Sequence, residues 1–179
     1  TKLLGGTSYD VIVPSDYMIE RLMEEEMLQP LDYSYMTNLD DLDPGVVALR
    51  DEYDPDGVYS MPYFWGSVGL VYNKKNVDVN KLEELGWNIL KDTEYADRIF
   101  MYDSERDSFM VALKALGYSM NTDNMDEINE AYEWLCELHD TMHPAYVTDE
   151  VNDAMINNEK DIAVVYSGAA AYIISQNED

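Results

Sequence analysis

Three short stretches of this sequence gather carboxylates, hydroxyls and aromatic rings: Ser15-Asp16-Tyr17, Asp103-Ser104-Glu105-Arg106-Asp107 and Tyr166-Ser167. Thr148-Asp149-Glu150 adds a further acidic turn, and Tyr63 and Trp65 lie in an aromatic segment. Carboxylates attract an ammonium group, as do the faces of aromatic rings, and methylene chains pack against flat rings. An elongated organic cation needs all three. Helix N-termini by themselves favour anions, but two of the three strand-to-helix turns carry Asp or Glu, which would repel one. The same residue types also have a purely structural use, because acids in a first helical turn stabilise the helix and rings fill cores.

Other chemistries are less well served. Cys136, His139 and His143 stand at helical spacings that would suit zinc, but no fourth ligand is evident, and Pro144 marks the helix end. Asp51 to Gly57 has the look of a calcium loop, yet the grammar asks for a Glu six residues after the glycine, where Tyr63 stands. Asp103 and Asp107 could form the acid and base of a hydrolase, with His139 as a further group, although no positioned partner is evident. No nucleophile elbow, phosphate-binding loop or dinucleotide fingerprint occurs, so no cofactor is expected. The 37 acidic residues against 11 basic ones, a formal net charge of -26, exclude a nucleic-acid backbone as partner. Cys136, the single cysteine, can form no internal disulfide, and on an apolar helix face it is expected to pack as a small hydrophobe.

The elements that must hold these groups follow from periodicity. Tyr9–Val13 reads as a β-branched strand, with Ser15 capping a helix that runs to about Leu28 before Pro30. Residues 31–57 read as loop. Tyr59-Ser-Met-Pro-Tyr-Phe-Trp-Gly leads into an apolar strand, Val68–Tyr72, and the glycines at 66 and 69 suit a chain crossing from one lobe to another. Asn80-Lys-Leu-Glu83 reads as a helix start with a capping box. Arg98–Tyr102 is a second strand, followed by a helix that Gly117 ends. A helix spans about Met125 to Met142, Thr148 caps another, and Asp161–Tyr166 is the last strand, leading into a helix at Ser167-Gly168. Strands alternate with helices, so the class is α/β.

The stretches Tyr9-Asp-Val-Ile-Val-Pro-Ser-Asp-Tyr-Met-Ile, Asp43-Pro, Tyr59-Ser-Met-Pro-Tyr-Phe-Trp-Gly, Tyr95-Ala-Asp-Arg-Ile, Ala112-Leu-Lys-Ala-Leu-Gly-Tyr-Ser, Ala145-Tyr-Val-Thr-Asp-Glu-Val and Tyr166-Ser-Gly occur in this order. Together they resemble the spermidine/putrescine-binding proteins of bacterial ABC importers, over nearly the whole chain. The resemblance implies a type II periplasmic-binding-protein fold, in which two α/β lobes joined by crossing strands close on a ligand. It implies that only the central part of that fold is present here: residues 1–66 as part of the first lobe, 67–165 as the second, and 166–179 as the return crossing.

By position, the resemblance makes Ser15 and Tyr17 ligand contacts of the first lobe and Asp107 the acid that receives an amine. Thr148 becomes a polar contact, and Tyr166 stands where the family commonly has a stacking tryptophan. Ser104 takes the place of a second carboxylate in the spermidine-preferring pattern, which makes putrescine at least as suitable a ligand. Asp16 and Trp65 complete the candidate set from their residue types. The implied protein is an extracytoplasmic receptor, a monomer when complete, that binds a polyamine, delivers it to a membrane permease and does no chemistry on it. A receptor of the same fold for ferric iron or another organic cation is the nearest alternative, and a carboxylate-dependent hydrolase the more distant one.

Overall fold

In this computed structural model residues 2–3 and 5–179 are described, and the chain divides into two compact units, Thr1–Trp65 and Gly66–Asp179. In the first unit, Ser15 precedes helix α1 (Asp16–Glu24), whose apolar face turns Leu22 inward. The helix is shorter than its apolar spacing predicts. Glu26 adopts φ 54, and the Met27 N–H bonds to the Leu22 carbonyl at 2.9 Å. This left-handed closure satisfies the last carbonyls and takes Met27 off the helix before Pro30 is reached. Tyr9–Val13 is not a strand: Val11 is 81% and Val13 71% exposed. β-branched side chains favour a strand only where a neighbour completes the ladder, and no described residue does so.

The segment read as loop contains helix α2 (Pro44–Arg50). Asp43 caps it by accepting from the Gly45 and Val46 N–H groups at 2.7 and 3.2 Å, and Pro44 fills the first position, where no donor is needed. Arg50 ends α2 buried and bonded through Nε to Asp51 Oδ1 at 3.0 Å. Gly57 passes against this guanidinium at φ 63, where an added Cβ would lie 1.9 Å from Nη1. Asp54, fully buried, takes hydrogen bonds from the Val58, Tyr59 and Ser60 N–H groups and from Ser60 Oγ.

The second unit is a four-stranded sheet. Strand β1 (Val68–Tyr72) leads to helix α3 (Val79–Leu85), whose cap is Asp78, accepting from Asn80 N, rather than Asn80 itself. Strand β2 (Ile99–Tyr102), helix α4 (Glu105–Leu116) and helix α5 (Met125–Met142) follow as predicted, with Gly117 closing α4 at φ 84. Strand β3 (Ala145–Val147) is too short to have shown a period. Helix α6 (Val151–Ile156), strand β4 (Ile162–Tyr166) and helix α7 (Ser167–Gln176) complete the unit. The sheet order is β1-β4-β2-β3, with β2 parallel to both β3 and β4, and β1 antiparallel to β4.

Alternation along the central strands makes two cores. Ile99, Met101, Ile162 and Val164 join Val111, Leu113, Trp134 and Leu138 in one cluster with α4 and α5. Phe100, Ala163 and Val165 join Val151, Met155 and Ile173 in the other, with α6 and α7. Covered on both faces, β2 and β4 read as unbroken apolar runs. Each large side chain buried this way contributes roughly 1.5–3 kcal/mol, so this sheet is a firm base for what projects from its edge. Cys136 is exposed, contrary to the packing expected of it, because α5 turns Trp134 and Leu138 inward and leaves position 136 on the outer face.

Candidate functional site

Because β2, β3 and β4 are parallel, their carboxyl ends at Tyr102, Val147 and Tyr166 share one edge of the sheet. β1 starts at the same edge, with Val68 opposite Tyr166. Chain leaving such an edge forms the usual ligand-facing turns of α/β folds. The Asp103 N–H bonds to the Val147 carbonyl at 2.9 Å, which fixes the two exits side by side.

Three of the candidate residues form a connected set here. Ser104 caps α4, its Oγ accepting from the Asp107 N–H at 3.4 Å. The Tyr166 hydroxyl donates to Asp107 Oδ2 at 2.9 Å. The Tyr166 ring meets the Tyr102 ring edge-on, with centroids 5.1 Å apart at 80°. The T-shaped pair is a favoured aromatic geometry and fixes the direction of both phenols. Asp107 is half-buried and Tyr166 is 39% exposed, so the pair is ordered yet open to a ligand.

Thr148 lies on the same edge, just beyond β3, but does not cap α6 as its sequence position predicts. Glu150 holds the cap position, and its Oε2 accepts both the Thr148 N–H at 3.0 Å and Thr148 Oγ at 2.8 Å. The carboxylate, being a better acceptor than a hydroxyl, closes the turn on itself. Bonds from its own backbone N–H and from Thr148 hold the Glu150 carboxyl below its ordinary value, against the small effect of desolvation. Tyr102 carries no signal of its own in the sequence beyond its place as the last residue of a strand, where ligand-facing groups gather. Burial raises its phenol above the ordinary value, helped by the negative charges of Asp149, Asp107 and Glu150. The edge is thus acidic, with a protonated phenol at its centre.

In the first unit, Ser15 occupies the N-cap position of α1, but its side chain makes no capping bond. Asp16 Oδ1 accepts from the Tyr17 N–H at 2.7 Å. Asp16 also acts on Tyr53, whose phenol is raised first by burial and then by this charge, with a bond to Ser60 acting the other way. Ser15 and Asp16 are exposed and Tyr17 is half-buried. Trp65 is 76% exposed at the end of an aromatic run in which the Tyr63 and Phe64 rings lie 4.1 Å apart.

Metal chemistry finds little purchase. Among the described residues no group of three His, Cys, Asp or Glu side chains could hold an ion. The Asp54 carboxylate in the calcium-like segment is occupied by backbone donors. His143 closes α5 in a left-handed conformation at φ 48, which is a structural use of the residue. Nor is any helix among the described residues long and apolar enough to cross a membrane.

A parallel-edged α/β sheet with acidic, ring-bearing turns belongs to a known class. The sequence profile of the bacterial extracellular solute-binding proteins matches residues 4–179, and the chain belongs to that family. The spermidine/putrescine-binding periplasmic protein of Salmonella typhimurium is 34% identical over 163 residues, 91% of this chain and 45% of that protein. The putrescine-binding periplasmic protein of Escherichia coli is 26% identical, covering 93% of this chain and 47% of its own length. Among solved structures, a spermidine/putrescine ABC transporter substrate-binding protein from Streptococcus pneumoniae, in complex with calcium and HEPES, aligns at TM-score 0.73 and 36% identity. That alignment covers 99% of this chain and 53% of the other. The α/β expectation is met, and the chain spans about half the length of the relatives it matches.

Proposed function

We propose that the complete protein is the extracytoplasmic receptor of a bacterial polyamine importer, binding putrescine or spermidine without chemical change and delivering it to a membrane permease. The observation that carries this reading is the Asp107 carboxylate, held by Tyr166 at 2.9 Å beside the Tyr102–Tyr166 ring pair, on an edge that also carries Asp149 and Glu150. A carboxylate beside ring faces is what an alkylammonium end recognises, by a charge-assisted hydrogen bond and by contact of its methylenes with the rings. In this reading Asp107, Ser104, Thr148 and Tyr166 are ligand contacts of the second unit, and Ser15, Asp16, Tyr17 and Trp65 those of the first. Family membership and the names of the relatives support the same assignment. The ferric alternative fits less well, because it needs phenolates, and Tyr102 holds its proton more tightly than usual while Tyr166 donates its own to Asp107.

Calorimetry on the full-length protein with putrescine, spermidine, ferric ion and a neutral sugar tests the reading. Saturable heat with the amines alone is expected. Truncating one side of a buried charge pair costs about 2–5 kcal/mol, so Asp107→Asn is expected to raise the amine Kd by roughly 30-fold to several thousand-fold. An unchanged Kd in that variant would remove Asp107 from the site, and no amine binding by the unaltered protein would end the proposal.

A further inference from the structure

Asp107 has two oxygens, and the protein uses one of them. Oδ2 accepts the Tyr166 hydroxyl at 2.9 Å, while Oδ1 receives no hydrogen bond from the described residues. Neither side chain is free to drift from this arrangement. Ser104 caps the turn that carries Asp107, and the Tyr166 ring is set edge-on against Tyr102 at the end of β4. We infer that Tyr166 is a positioning and specificity residue, which fills one acceptor position on Asp107 Oδ2, leaves Oδ1 as the oxygen without a partner among the described residues, and so selects a primary ammonium against a guanidinium at this end of the ligand. This rests on the amine-receptor reading above.

The physical reason lies in the shapes of the two cations. An ammonium is a compact point charge with three rotatable donors, and one well-placed carboxylate oxygen satisfies it. A guanidinium is a planar fork whose favoured contact is bidentate, one N–H to each carboxylate oxygen. With the Tyr166 hydroxyl on Oδ2, a guanidinium at Asp107 must donate to Oδ1 alone, crowd the phenol to share Oδ2, or displace it. An ammonium loses nothing. A tryptophan at this position would keep a ring but carry its donor elsewhere, so the hydroxyl of Tyr166 is a feature of this chain rather than of ring stacking in general.

The test compares putrescine with 1,4-diguanidinobutane, which has the same four-carbon spacer and a guanidinium at each end, so that Asp107 can never meet an ammonium. Calorimetry is run on the full-length protein and on Tyr166→Phe, which keeps the ring and removes the donor. The unaltered protein is expected to prefer putrescine by at least about tenfold, the worth of one unmatched hydrogen bond. Tyr166→Phe is expected to narrow that ratio by about tenfold, because the fork then meets Oδ2 without a competing donor. An unchanged ratio, with putrescine still bound, overturns the inference and leaves the receptor assignment standing. Equal binding of both compounds by the unaltered protein overturns it without any variant, which covers the case in which Tyr166→Phe fails to fold. Failure of the unaltered protein to bind putrescine at all overturns the assignment and this inference together.

Discussion

Asp54→Ala should unfasten the segment that leads to the aromatic run Tyr63–Trp65. The Asp54 carboxylate is fully buried and holds four donors: Val58 N at 3.0 Å, Tyr59 N at 3.0 Å, Ser60 N at 2.6 Å and Ser60 Oγ at 2.7 Å. Each buried donor left without a partner costs about 1–3 kcal/mol. Val58 is 40% exposed, so its N–H can turn to water, whereas Ser60 is only 8% exposed and cannot. Counting the two Ser60 donors in full and Tyr59 in part gives a loss of about 3–5 kcal/mol. Asp54→Asn should cost less, about 1–2 kcal/mol, since the amide oxygen can keep the three-donor side and only the Val58 bond is lost. Urea unfolding followed by circular dichroism measures the loss, and hydrogen exchange at the Tyr59 and Ser60 amides localises it. Those two amides should exchange at least 100-fold faster in the alanine variant. If their protection and the unfolding midpoint both stay as they were, the carboxylate does not hold this loop and the reasoning fails.

Two further outcomes follow from the second unit. A Cβ at position 66 would lie 2.7 Å from Ser167 Oγ, which accepts the Ser67 N–H at 3.3 Å. Gly66→Ala should therefore cost about 1 kcal/mol by forcing that hydroxyl away, and adding Ser167→Ala should recover most of it in a double-mutant cycle; strictly additive losses would show that the two positions do not meet. Asp92 is disfavoured as an anion by burial, but its bonds to Lys81 and to the Glu94 N–H outweigh this and leave its carboxyl below the ordinary value. A depressed folded-state value means the stabilisation is complete above the unfolded carboxylate range, about pH 4, and is lost as pH falls through the lower folded value. Acid unfolding curves of Lys81→Met should lack this component below pH 4, and curves parallel to those of the unaltered protein would refute it.

What the sequence made legible was whatever the second unit dictates by itself. Periodicity sufficed for α5, whose apolar stripe turns inward, and unbroken apolar runs sufficed for the two central strands, because burial on both faces leaves those strands no polar position. The edge that gathers Asp107, Thr148 and Tyr166 was equally accessible, since parallel strands place their exits together. Hidden were the features that depend on local competition between hydrogen-bond acceptors. Glu150 displaced Thr148 at α6, Asp78 displaced Asn80 at α3, and the reversal at Glu26 shortened α1. The helix after Asp43-Pro44 carries its signal in the cap alone, and the surrounding Asp, Pro and Gly residues read as turns. Tyr9–Val13 misled because propensity describes how a residue fits a ladder and not whether a ladder exists.

The serine at position 104, where the resemblance leads one to expect a carboxylate, has a physical use in this geometry. A hydroxyl there caps α4 through the Asp107 N–H, where a carboxylate would add a second charge within one turn of the first. The negative field of the edge is not lost, because Asp149 and Glu150 bear on Tyr102 from the β3 side, and bonds from its own backbone N–H and from Thr148 hold the Glu150 carboxyl below its ordinary value. On the proposed function, the charge that attracts the ligand is thus spread over two turns, while the contact that fixes one ammonium falls to Asp107 alone. A diamine needs one such contact at this end and a triamine needs another part-way along its chain, so the arrangement favours the shorter ligand. Placing an acid there with Ser104→Asp should shift preference toward spermidine on the full-length protein. A putrescine-to-spermidine ratio that does not move would show that Ser104 does not set ligand length.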